Sequence, residues 1–264
     1  MSAVQPPGSL AIVGLGPGGA GQRTAEVEAA LDHATDLVGY APYLHRVEGR
    51  ASAIRHGSDN REELARARRA LSLAMAGKRV VVVSGGDPGV FAMAAAVFEA
   101  IEHGEPAWRG IDVAVLPGIS AMLAAAARVG APLGGDFCAI SLSDNLKPWP
   151  LVVRRLQAAA GAGFAIALYN PISRSRPWQL RAAFDALRAV LPGTVPVVFA
   201  HAVGRACEHG AIHDLHDVDE AAAAANMSTL VIVGAPSTRR IARPNGRPDW
   251  VYTPRGVDPD EALP

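Results

Sequence analysis

The chain has 264 residues, half of them hydrophobic and 19% charged, so it can bury a sizeable core and lacks the composition of a disordered chain. Lys plus Arg and Asp plus Glu each total 25, so no net field draws the protein to nucleic acid or to a membrane surface, and any anion site must be a local cluster. Cys138 and Cys207 lie far apart and outside any C-x-x-C or Cys/His spacing, which argues against a disulfide framework and against a bound metal. Met1 to Ser9 has no positively charged leader, and no later stretch approaches the roughly 18 apolar residues of a membrane span. A cytoplasmic protein with no nucleic-acid or membrane partner is expected.

Short Val/Ile-rich runs alternate with stretches of helical period, the pattern of an α/β protein with mainly parallel sheets. In chain order the first half predicts a strand at Leu10–Val13, a helix at Thr24–Ala34, a strand at Asp36–Gly39, a helix at Arg61–Ala76, a strand at Arg79–Ser84, a helix at Phe91–His103 and a strand at Asp112–Leu116. Asn60 with Glu63 has the spacing of a capping box, and Gly77 is placed to end that helix. A helix over Ser120–Val129 and the turn-rich Gly130–Gly135 stretch precede a restart of the pattern. Strands are predicted at Phe137–Leu142, Phe164–Tyr169, Val195–Ala200 and Thr229–Val233, with helices at Leu151–Ala160, Trp178–Val190 and Val218–Ala225. The restart implies two α/β domains, 9–119 and 120–253, with a tail over 254–264; Trp250–Tyr252 is a candidate last strand.

Open α/β sheets bind ligands beyond the carboxyl ends of their strands, which directs attention to three segments. Gly14-Leu15-Gly16-Pro17-Gly18-Gly19 has a G-x-G-x-x-G spacing. A dinucleotide reading fails, because Pro17 removes an N–H, the helix starts only near Thr24, and Val38-Gly39-Tyr40-Ala41-Pro42 offers no acid for a ribose. A simple tight turn remains open. Ser84-Gly85-Gly86-Asp87-Pro88-Gly89 lets a ligand approach the backbone, with Asp87 suited to a cationic or hydroxyl-bearing ligand. Pro117-Gly118-Ile119-Ser120 puts a hydroxyl where helix capping would equally explain it.

In their order, Gly14–Gly18, Gly85–Pro88 and Pro117–Ser120 resemble the tetrapyrrole methylases, and the likeness extends from Leu10 to about Gly234. It implies two α/β domains with S-adenosylmethionine (SAM) folded in the cleft between them, S-adenosylhomocysteine as product, and a homodimer. Carried over by position, the cofactor contacts would be Pro17, Gly85, Gly86, Asp87, Ser120 and Ala121 from the first domain, and Tyr169, Asn170, Gly204 and Thr229 from the second. Val38–Tyr43, Ser141–Asn145, Leu168–Pro171, Gly204-Arg205 with Glu208, and Met227–Leu230 resemble the branch of the family that methylates C17 of precorrin-3B and contracts its ring. The alternatives are a relative acting at another ring carbon or on a cobalt-containing substrate, and a non-catalytic nucleotide-binding module on the same fold. After the first Gly-Pro-Gly, Gly19-Ala20-Gly21 departs from the acidic or bulky residue of relatives.

Methyl transfer from a sulfonium needs alignment and exclusion of water rather than a protein nucleophile. Ring contraction adds a hydroxyl proton to be handled, for which Asp144, His201 and Glu208 are the candidates. A macrocycle with many carboxylates calls for cations, and Arg46, Arg50, Arg55, His56, Arg174, Arg176 and Arg205 lie on segments able to supply them. Arg61, Arg66, Arg68 and Arg69 read instead as a solvated helix face. Tyr40, Tyr43, Trp149 and Trp178 are candidates to stack on the ring.

Overall fold

The computed structural model describes residues 8–173 and 175–256. The chain divides into two compact units, the first running to Ala121 and the second starting at Met122.

The first unit is built from β1 (Ser9–Gly14), α1 (Ala25–His33), β2 (Asp36–Tyr40), α2 (Ala41–Leu44), β3 (Ile54–Ser58), α3 (Glu63–Met75), β4 (Arg79–Ser84), α4 (Met93–His103) and β5 (Asp112–Leu116). Its sheet has the order β3-β2-β4-β1-β5 with every pairing parallel. The four valines of β4 show why the run is continuous rather than alternating. Val80 and Val82 pack with Leu10 and Ile12 against α3 and α4, while Val81 and Val83 join Val13, Leu37 and α1 residues Val27 and Leu31 on the other face. A strand covered on both sides needs apolar residues at both parities.

Local chemistry sets the helix ends. The Val27 N–H donates to Thr24 Oγ1 (3.2 Å), and Glu26 and Glu28 sit in the first turn, where the helix dipole favours them. The capping box at Asn60 does not form: α3 is capped at Glu62, and Asn60 Oδ1 instead accepts from the Arg61 N–H (3.1 Å). Arg61 has φ +69°, so the chain turns before the helix begins and Asn60 is two residues too early. Gly77, at φ +78°, follows the end of α3 as its position implied.

The second unit contains α5 (Ala121–Val129, whose first residue closes the first unit), β6 (Gly130–Ala131), β7 (Phe137–Ser141), α6 (Trp149–Gly161), β8 (Ala165–Tyr169), α7 (Gln179–Arg188), β9 (Pro196–His201), β10 (His209–Asp214), α8 (Asp219–Ala224), β11 (Thr229–Val233), β12 (Arg239–Ile241) and β13 (Trp250–Tyr252). The main sheet has the order β10-β9-β11-β8-β7. The parallel arrangement expected for both sheets holds throughout the first. In the second only β7 and β8 pair in parallel, while β9, β10 and β11 pair antiparallel with their neighbours. Burial of Ile166, Val197 and Val231 on the sheet determines that these runs are apolar but says nothing of their direction. Phe184, fully buried, centres the core that α6 and α7 make with this sheet. A small third sheet joins β12, β13 and β6.

Candidate active site

The carboxyl ends of β1, β4 and β5 lie side by side in the first unit, and their loops are laced into one body. Gly16 and Gly86 exchange backbone hydrogen bonds, each N–H donating to the other's carbonyl at 3.1 Å. A Cβ on Gly118 would stand 2.4 Å from the Gly86 carbonyl oxygen and 2.7 Å from that of Gly14, so the third loop reaches the other two only as glycine. Asp87 staples the arrangement: Oδ1 accepts from the Gly89 N–H (2.8 Å) and Oδ2 from the Gly118 N–H (3.1 Å). Each carboxylate oxygen keeps a further lone pair for a ligand. Pro17 and Ser120 are buried beside these turns. A Cβ on Gly86 would meet the backbone of Ile119, Ser120 and Ala121 at 3.7–3.9 Å.

Arginine braces the first loop from behind. Arg46 donates to the carbonyls of Leu15 (3.3 Å), Gly16 (2.7 Å) and Gly18 (2.7 Å), and Arg23 donates to the Arg46 carbonyl. Arg46 was expected to meet an anionic substrate; its guanidinium is turned onto the loop instead. Arg55 likewise donates to the carbonyls of Leu44 and Val47 at the end of α2, and Arg50 pairs with Glu28 and Asp32. His56 Nε2 is 2.7 Å from Asp36 Oδ1, and Arg69 donates to His56 Nδ1 (2.8 Å). Arg66, expected on a solvated face, is buried, because the turn before α3 brings Ser58 and Asp59 within its reach. Tyr43 rests against Gly85 and meets Tyr40 edge-on with ring centroids 5.4 Å apart. The junction from glycine loop to helix that a dinucleotide needs is absent here, since a short 3-10 turn at Ala20–Gln22 separates the loop from α1.

In the second unit the Met122 N–H donates to the Tyr169 hydroxyl (3.1 Å), and Asn170, at φ +52°, donates through Nδ2 to the buried Ser141 Oγ (2.9 Å). Arg176 donates to Ser143 Oγ (3.0 Å) and lies 3.5 Å from Asp144. Arg205 is exposed, and Arg174 lies outside the described residues. Trp149 and Trp178, candidates to stack on a ring ligand, stack edge-on with each other at 4.9 Å.

Sheet register sets Thr229, His201 and His209 in one row across β11, β9 and β10. His201 Nδ1 is 3.4 Å from Thr229 Oγ1, and its ring stacks on His209 at 4.5 Å. Burial, with His209 and Arg205 nearby, pushes the His201 pKa down, which favours the uncharged imidazole. Glu208 is used differently. Its Oε2 accepts from the Gly204 N–H (2.7 Å) and its carboxylate pairs with Arg128; the Arg128 hydrogen bond, then that from Gly204, hold it below the usual carboxylate range. It therefore holds the turn at Gly204 (φ +80°), with both carboxylate oxygens already engaged. His209 is not legible in the chain alone, because β10, His-Gly-Ala-Ile-His-Asp, has too little apolar alternation to read as a strand.

Among the described residues no group of three His, Cys, Asp or Glu side chains is placed to hold a metal. No helix among them is long and apolar enough to cross a membrane.

Three glycine-laced loops without a cation at adjacent strand ends, followed by a second α/β unit, define the class: the chain belongs to the Tetrapyrrole (Corrin/Porphyrin) Methylases, whose family model matches residues 9–219. Within that class it is 58% identical over 248 residues to the precorrin-3B C(17)-methyltransferase of Sinorhizobium sp, covering 94% of this chain and 96% of that protein. The crystal structure of the methyltransferase CobJ superposes with a TM-score of 0.88 at 49% identity, covering 94% of this chain and all of that one. The uroporphyrin-III C-methyltransferase of Thermus thermophilus, crystallised with S-adenosylhomocysteine, shares the fold at a TM-score of 0.67 and 23% identity, over 86% of this chain and 97% of that one.

Proposed function

We propose that this chain is a SAM-dependent C-methyltransferase of cobalamin biosynthesis that methylates C17 of precorrin-3B and contracts the ring to give precorrin-4. The observation that carries this reading is the 58% identity, along nearly the whole of both chains, to a protein of that name. The donor set supports the cofactor. The loops at Ser84–Gly89 and Pro117–Ala121 contain no Lys or Arg to neutralise phosphate, whereas backbone groups and one carboxylate suit a neutral adenosine and a cationic sulfur.

SAM, when bound, supplies an electrophilic methyl group. The residues we assign to holding it are Pro17, Gly85, Gly86, Asp87, Ser120 and Ala121 in the first unit, and Tyr169, Asn170, Gly204 and Thr229 in the second. Their work is to orient the methyl for in-line attack by a substrate carbon and to exclude water. For the hydroxyl proton released in ring contraction we assign His201 as acceptor, since its uncharged form is favoured and Glu208 is committed to Arg128 and Gly204. Asp144, 3.5 Å from Arg176, positions that cation for a substrate carboxylate. The protein acts in the cytoplasm as a homodimer.

The deciding experiment is anaerobic incubation of purified protein with SAM and precorrin-3B, with product mass and NMR. A C17-methylated, contracted product is expected; methylation at another carbon, or none, overturns the assignment.

A further inference from the structure

The first unit has a second concavity at the carboxyl end of its sheet, besides the glycine loops. A cavity of about 630 Å³ opens where β2 and β3 end, and its polar lining is His56, Ser58, Asp59, Glu62, Arg66 and Arg69. We infer that this cavity is a carboxylate-binding subsite, in which Arg66 and Arg69 hold an acidic side arm of the tetrapyrrole substrate; the inference rests on the functional reading above.

The argument begins with Arg66, which is only 5% exposed. Its Nε donates to Ser58 Oγ (2.8 Å), one amino group donates to the Asp59 carbonyl (2.7 Å), and the other lies 3.2 Å from Met93 Sδ. All three partners are neutral. Among the described residues neither Arg66 nor Arg69 forms a salt bridge. Burial lowers the Arg66 pKa despite the nearby Glu63 and Glu62, the sign of a cation whose charge is incompletely balanced. Arg69 is held in the same manner. Since a guanidinium can only donate, His56 Nδ1 is the acceptor and the ring proton sits on Nε2, facing Asp36. Two guanidinium groups are thus positioned on neutral partners around one cavity. A buried guanidinium with no carboxylate in direct contact is incompletely compensated, and an anion entering the cavity would supply that partner.

The same lining selects the kind of anion. Asp59 and Glu62 oppose a phosphate dianion more strongly than a single carboxylate, and a guanidinium fork matches a carboxylate in a bidentate pair. The position fits a substrate rather than an unrelated ligand. Ala41, in the cavity wall, begins α2, whose Tyr43 rests on Gly85 of the cofactor loop.

The test compares wild type with R69Q and E62Q, both changes of exposed residues that leave the buried Arg66 in place. In turnover of precorrin-3B, R69Q is expected to raise KM tenfold or more while kcat and S-adenosylhomocysteine affinity stay within about twofold. E62Q, which removes a repulsive charge, is expected to lower KM. Normal wild-type turnover with an unchanged KM in R69Q overturns the subsite alone. Failure of the wild type to turn over precorrin-3B overturns the functional reading and the subsite with it.

Discussion

Replacing Gly118 with Ala puts the lacing of the three loops to a direct test. The new Cβ would lie 2.4 Å from the Gly86 carbonyl oxygen, and ordinary contact begins at 3.4 Å, so the loops must part by 3.4 − 2.4 = 1.0 Å. A displacement of that size lengthens the bond from the Gly118 N–H to Asp87 Oδ2, now 3.1 Å, to roughly 4 Å, beyond hydrogen-bonding range. One lost hydrogen bond to a carboxylate at about 1.5–3 kcal/mol, with about 1–3 kcal/mol of overpacking strain, gives an expected destabilisation of roughly 2.5–6 kcal/mol. Urea unfolding followed by far-ultraviolet circular dichroism measures that loss, and calorimetric titration with S-adenosylhomocysteine measures the accompanying fall in affinity. A variant within about 0.5 kcal/mol of wild type, with unchanged affinity, would refute the reasoning, since it would mean the loops separate freely.

Other substitutions probe the scaffold. Phe184→Ala, at a fully buried position against Phe199, should destabilise the protein by about 3–5 kcal/mol in denaturant titration. Thr24→Ala should remove about 1 kcal/mol through the lost cap on α1, visible in the same experiment. Acid should act through Asp36. Burial would raise its pKa, but hydrogen bonds from His56 and Thr35 outweigh burial and lower it, so its contribution is complete above the unfolded value of about 3.9 and is lost as pH falls through the folded value. The stability difference between wild type and Asp36→Asn should therefore shrink below about pH 4; a difference that persists unchanged to about pH 2.5 would rule Asp36 out as the source.

How much could be read from the chain depended on how each feature is encoded. The Val80–Val83 run, the start of the first helix and the glycine loops are written locally, in consecutive residues, and the structure places them where the sequence does. β3 and β10 were missed for a common reason: both are edge strands, with one side unpaired and solvent near, so Ile54-Arg55-His56-Gly57-Ser58 carries no apolar alternation. The reversed β11 was missed because burial on two faces constrains hydrophobicity and not direction. Among candidate side chains, the arginines were the least legible. Neither Arg46, between His45 and Val47, nor Arg66, between Ala65 and Ala67, carries a local signal of its role, yet one grips three loop carbonyls and the other is buried beside a cavity. Such roles depend on which carbonyls the fold leaves exposed nearby, and no spacing rule reports that.

The paired bonds between Gly16 and Gly86 also bear on how this chain can change over evolutionary time. A residue inserted in either loop would slip that pairing out of register and pull Asp87 away from Gly118, so the two loops can alter in length only together. Gly19 and Gly21 stand outside this constraint, since a side chain at either would meet nothing within 4 Å. Drift is thus channelled into the stretch that follows the first turn, Gly19-Ala20-Gly21.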